Sequence, residues 1–176
     1  ANAVWNISGG TLNLPKFTIG SAASNNTNNV VTVSGNAVVT QTQGTGGGAN
    51  RELWIGGNNA GSGTLILKDN ATWTNSAASG STDVIIGRAA GAGQAPVGVL
   101  TIQDNASMVV QSGAAAAKVI RMADISTAAA GTLNLNGGSL STIGVQRISG
   151  TATVNINGGR ITALTNSAVS FFNNFP

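Results

Sequence analysis

Leu65-Ile66-Leu67-Lys68-Asp69-Asn70 is the stretch that decides how this chain is read. Two apolar residues flank a third residue, a spacer follows, and two residues of the Gly/Asn/Asp kind form a corner. The chain repeats the phrase as Trp5-Asn6-Ile7-Ser8-Gly9-Gly10, Val31-Thr32-Val33-Ser34-Gly35-Asn36 and Leu100-Thr101-Ile102-Gln103-Asp104-Asn105. It appears again as Leu133-Asn134-Leu135-Asn136-Gly137-Gly138 and Val154-Asn155-Ile156-Asn157-Gly158-Gly159. The first residues of the copies, at 5, 31, 65, 100, 133 and 154, are separated by 26, 34, 35, 33 and 21 positions. Within each copy the apolar residues recur with period two, and a helical period of 3.6 appears nowhere, so the copies read as strands.

A second strand follows each corner: Leu12-Asn13-Leu14, Val39-Thr40-Gln41, Trp73-Thr74, Met108-Val109-Val110, Leu140-Ser141-Thr142 and Ile161-Thr162-Ala163. A third follows a loop: Phe17–Gly20, Leu53–Gly56, Val84–Gly87, Val119–Met122, Gln146–Ile148 and Val169–Phe171. Three short strands with polar corners describe one coil of a β-solenoid. A single coil cannot bury its apolar faces, whereas stacked coils share one continuous core. The expected fold is therefore all-β, one domain over residues 1–176, with about six three-strand coils starting near 4, 30, 64, 99, 132 and 153. A hydrophobic tail follows over 166–176. Leu65, Leu67, Leu100, Ile102, Leu133 and Leu135 are expected in one buried stack. Segments 43–50, 75–82 and 111–117 are expected to protrude on one side.

The corners fall into two kinds. Copies 1, 5 and 6 turn on Gly-Gly and reach the next apolar residue two positions later. Copies 2, 3 and 4 turn on Gly35-Asn36-Ala37, Asp69-Asn70-Ala71 and Asp104-Asn105-Ala106, one residue longer. Gly and Asn tolerate the positive φ such corners need.

The composition agrees with this reading. Only 7% of the 176 residues are charged, with eight Lys or Arg and five Asp or Glu, and Cys and His are absent. Disulfides, zinc sites built on Cys or His, and cysteine or histidine catalysis are excluded. Stacked coils place like residues about 4.8 Å apart, where like charges repel. Scarcity of charge is thus what a stacked wall requires. The pI of about 10.2 rests on a net charge of +3 spread along the chain, without the basic cluster of a nucleic-acid binder. No run approaches the 18 or more apolar residues of a membrane helix. Neither nucleic acid nor membrane insertion is expected. The chain begins at Ala1, which fits a mature secreted protein or simply a boundary within a longer chain.

Phrases such as Leu53-Trp54-Ile55-Gly56, followed by Gly63-Thr64-Leu65-Ile66-Leu67, and Gly131-Thr132-Leu133-Asn134-Leu135-Asn136-Gly137-Gly138 resemble the autotransporter-associated β-strand repeats of secreted bacterial surface proteins. The resemblance covers residues 1 to about 165. It implies a single-stranded right-handed parallel β-helix acting as stalk, adhesin or matrix component, and it implies no catalytic motif. Extracellular or cell-surface localisation is expected on this resemblance.

Candidate chemistry is sparse. Asp69 and Asp104 hold the same corner position in consecutive copies, so their carboxylates should stack, and a shared cation is the weak metal candidate. No cofactor and no catalytic residue is expected. Arg88 and Asp124 are expected as a ladder ion pair. Trp5 and Trp73 fall on inward positions and are expected in the core. Trp54, between Leu53 and Ile55, points outward and is the candidate exposed aromatic for a glycan or cell surface. The Thr-x-Thr triplets lie at different offsets in their copies and make no ladder of their own.

The leading functional expectation is a structural, non-enzymatic, secreted subunit that assembles head-to-tail with itself into a fibre or surface layer. An open strand edge recruits other chains unless helix, charge or proline blunts it. Residues 1–4 carry no charged side chain, and none follows Arg160. The expected interface is Ala1, Ala3, Val4 and Trp5 of one copy against Phe171, Phe172 and Phe175 of another. The alternative is a stalk or passenger segment of an adhesin that binds a surface or glycan.

Overall fold

The computed structural model describes residues 2–21, 28–41, 52–77, 84–112, 119–164 and 170–176. The described residues form strands and connections, with no helix. In chain order the strands are β1 (Val4–Ile7), β2 (Thr11–Asn13), β3 (Phe17–Ser21), β4 (Asn29–Val33), β5 (Val38–Gln41), β6 (Leu53–Gly57), β7 (Ser62–Leu67) and β8 (Thr72–Ala77). They continue as β9 (Val84–Arg88), β10 (Val97–Ser112), β11 (Ile120–Asp124), β12 (Ala130–Thr142), β13 (Val145–Arg147), β14 (Thr151–Ile156), β15 (Arg160–Ala163) and β16 (Phe172–Asn173).

The strands pair in parallel and form two sheets. One holds the first and second strands of every copy. The other runs β16-β13-β11-β9-β6-β3 and holds the third. Register follows the repeat residue for residue. Trp5 pairs with Val31, Val31 with Leu65, Leu65 with Leu100, Leu100 with Leu133, and Leu133 with Val154. The second-strand row runs Leu12, Val39, Trp73, Met108, Leu140, Ile161. The third runs Phe17, Leu53, Val84, Ile120, Val145, Phe172.

Apart from their exposed end residues Trp5 and Phe172, these rows make the core or pack against it. Leu65, Leu67, Leu100, Ile102 and Leu133 are fully buried, and Leu135 is 1% exposed. Burying one such side chain contributes about 1.5–3 kcal/mol. Where the shorter corner of the fifth copy meets the longer corner of the fourth, the β10–β12 register shifts between Asp104 and Ser107.

A close approach between sheets explains the Ile-Gly endings of the third strands. Gly56 has φ +71°, and a Cβ there would lie 2.1 Å from the Val97 carbonyl oxygen. Gly20 and Gly87 repeat this arrangement. Ala123, at the same place in the fourth copy, takes φ 52° without being glycine.

The structure departs from six copies of three separate strands: in the fourth and fifth copies the first and second strands run through the corner as single strands, β10 and β12. Two third strands also differ from the sequence reading. The fifth is Val145–Arg147 rather than 146–148, because Val145 continues the inward row. The sixth is Phe172–Asn173, within the tail, rather than 169–171. Trp5 is 42% exposed although it faces inward, since the first copy has a neighbour on one side only. Segments 43–50, 78–82 and 113–117 of the expected protrusions lie outside the described residues. Residues 75–77 and 111–112 extend β8 and β10.

Candidate functional site

Three places hold the residues singled out above: the two ends of the sheets, the corner stack, and the outer face of the third strands.

At one end, β1, β2 and β3 each pair with a single neighbour. Val4 is 68% exposed and Trp5 42%. Phe17 packs edge-on against Trp5, with ring centroids 5.5 Å apart, and lies 6.1 Å from Trp73. A pocket of about 200 Å³ opens here between β1 and β3, lined by Ala3, Trp5, Phe17, Ile19 and Val31 among others. The Ala3 N–H donates to Asn29 Oδ1 at 3.3 Å. Ala1 lies outside the described residues.

At the other end, β14, β15 and β16 likewise have one neighbouring strand each. Ile156 is 51% exposed, and Phe172 and Leu164 are also open to solvent. The tail folds onto its own chain: β16 pairs with β13, and Phe171 and Phe175 pack against the core. Phe172 meets both of them edge-on, at 5.1 and 6.0 Å. Arg147 Nε donates to the Asn174 carbonyl at 2.7 Å and fixes the last turn. Of the three phenylalanines expected at a subunit contact, Phe172 presents the most open ring.

The corner stack brings Asp69 and Asp104 to adjacent positions, and each carboxylate is engaged by backbone. The Gly35 N–H donates to Asp69 Oδ2 at 2.9 Å, and the Asp69 N–H donates to Asp104 Oδ2 at 3.1 Å. Each Asp therefore caps the corner of the copy before it. Among the described residues no group of three metal-binding side chains forms. Asparagine pairs also link copies: Asn70 to Asn36 at 3.3 Å beside the stack, and, between the fifth and sixth copies, Asn155 to Asn134 at 2.8 Å and Asn157 to Asn136 at 3.0 Å.

The outer face of the third strands corrects the reading of Trp54. Its side chain stands outside the core cluster, as alternation requires, yet it is only 8% exposed. Lys16 Nζ lies 3.9 Å and Arg88 Cζ 3.8 Å from the ring centroid. Cations from the copies before and after cover it, so the indole is not an open platform. Arg88 Nε in turn lies 3.8 Å from Asp124 Oδ2, and Arg121 Nη2 donates to Asp124 Oδ1 at 2.8 Å. The expected Arg88–Asp124 pair is present, and Arg121 is the closer partner. The buried carboxylate, 1% exposed, thus ties two cations across the third-strand face.

Sequence reasoning missed a polar pair inside the core. Gln41 and Asn75 are fully buried. Asn75 Nδ2 donates to Gln41 Oε1 at 2.9 Å, and Gln41 Nε2 donates to the Pro15 and Glu52 carbonyls, each at 3.1 Å. The signal was the same alternation: Gln41 stands two residues after inward Val39, and Asn75 two after inward Trp73. Burial of an amide requires such partners.

Compared with known proteins, the chain matches no family model, no curated protein and no solved structure.

Proposed function

We propose that the chain is a structural, non-enzymatic subunit: a right-handed parallel β-helix of about six three-strand coils that stacks head-to-tail on copies of itself. Its setting, on this reading, is an extracellular fibre or surface layer. The solenoid part of the reading is supported by three inward rows that climb by one copy at every pairing. The handedness comes from the resemblance to the autotransporter-associated repeats.

One observation carries the assembly. Three strand edges are open at each end, and both ends expose apolar side chains, Val4 and Trp5 at one and Ile156 and Phe172 at the other. Unpaired parallel edges are templates for further strands. Because the two ends differ, the contact is heterologous, and because the rows would run on along one direction from copy to copy it does not close into a ring, which generates filaments.

Sedimentation velocity and electron microscopy of the purified chain test it. Unbranched filaments that lengthen with concentration are expected. A monomer at all concentrations would instead favour the alternative, a stalk segment of an adhesin whose ends are covered by other parts of a longer chain.

A further inference from the structure

We infer that the head-to-tail contact has one register, in which the three inward rows run on together: Val154 beside Trp5 of the partner subunit, Ile161 beside Leu12 of the partner subunit, and Phe172 beside Phe17 of the partner subunit. This rests on the assembly proposed above and specifies its junction.

Four observations converge on that register. The first is corner length. From the inward residue of the first strand to that of the second is 7 positions in the last copy (154 to 161) and 7 in the first (5 to 12). In the three middle copies it is 8 (31 to 39, 65 to 73, 100 to 108). Within the chain, the step from the fourth copy to the fifth opposes 8 to 7, and the ladder shifts register. At the junction 7 meets 7, so both strands pair in step.

The second is chemistry along the rows. The third-strand row reads Phe17, Leu53, Val84, Ile120, Val145, Phe172, so it begins and ends in phenylalanine. The register stacks those two rings at the rim of the 200 Å³ pocket that Phe17 and Trp5 line. On the outer face the Asn134–Asn155 ladder is continued by Asn6 of the partner subunit.

The third is space at the corner. A Cβ added at Gly9 or Gly10 meets nothing within 4 Å, whereas one at Gly159 would lie 2.5 Å from the Gly137 carbonyl oxygen. The Gly-Gly corner of the first copy has room on it for another Gly-Gly corner. The fourth is charge. Among the described residues that face one another, two are charged, and they do not meet: Arg160 opposes Thr11 of the partner subunit, and Phe171 opposes Lys16 of the partner subunit. The span from second to third strand differs, 11 positions in the last copy (161 to 172) against 5 in the first (12 to 17). The chain already pairs such unequal spans internally, 5 in the first copy against 14 in the second (39 to 53).

Engineered cysteines test the register, because the chain has none of its own. Adjacent strands hold paired residues about 4.8 Å apart, within disulfide reach. Filaments of the double variant Asn6→Cys with Asn155→Cys, both at exposed positions, are oxidised and run on a non-reducing gel. Covalent dimers, trimers and higher multimers are expected, absent from either single variant and from the offset pair Ser8→Cys with Asn155→Cys. Filaments that cross-link through the offset pair alone, or through neither pair, overturn the register and leave head-to-tail assembly standing. A native chain that forms no filament removes the assembly and the register with it.

Discussion

The middle and the ends of this molecule are written in the same pattern and buried to different extents. Leu65, Leu100 and Leu133 are fully buried in the inward row that also holds Trp5, which is 42% exposed. Ile156 aligns with fully buried Leu67 and Ile102, yet is 51% exposed. The repeated phrase therefore does not carry its own burial. A neighbour on each side supplies it, and the terminal copies have one neighbour only. On the proposed solenoid reading, stability is nearly one-dimensional, a sum of copies and of the contacts between them.

The largest effect should come from hollowing the middle. Leu100→Ala should cost about 2–5 kcal/mol, because the cavity is walled by rows above and below. In dispersed protein Ile156→Ala should cost under about 1 kcal/mol, since its side chain is already half in water. Urea unfolding of both variants measures the contrast, and equal losses would break the comparison. Gly56→Ala should rank close to Leu100→Ala, at upwards of about 2 kcal/mol, because the new methyl strikes the Val97 carbonyl and φ is positive.

Smaller changes sharpen the picture. Asp104→Ala removes the acceptor of the Asp69 N–H at an exposed corner and should cost about 0.5–1 kcal/mol. A chelator should leave the melting curve of the native chain unchanged. A drop in melting temperature on chelation that Asp104→Ala abolishes would make Asp69 and Asp104 metal ligands. The smallest effect should have the opposite sign. Ala123→Gly relieves a positive φ and should stabilise by up to about 1 kcal/mol, read as a higher denaturation midpoint.

The rows of the first and second strands were legible to the residue, since alternation and the Gly/Asn corners fix both the face and the length of each turn. The third strands were less so. Val145 follows Gly144 at the end of a short connection, and nothing local marks it as the start of a strand; its partner Ile120 does. Phe172 was read as part of a tail because its strand has two residues and no corner signal. Trp54 shows a different gap. Alternation gives the side of the sheet, but coverage comes from Lys16 and Arg88, which belong to other copies. The Ile-Gly endings were visible as letters, and their reason, the carbonyl of a first strand two copies on in the other sheet, appears only once the sheets are brought together.

Filament formation by the purified chain tests the central claim most directly. Electron microscopy with fibre diffraction should show unbranched filaments, an axial spacing of about 4.8 Å and a subunit repeat of about 29 Å, six strand spacings. A species that sediments at 17.3 kDa over the whole concentration range, with no filament in the micrographs, would contradict it.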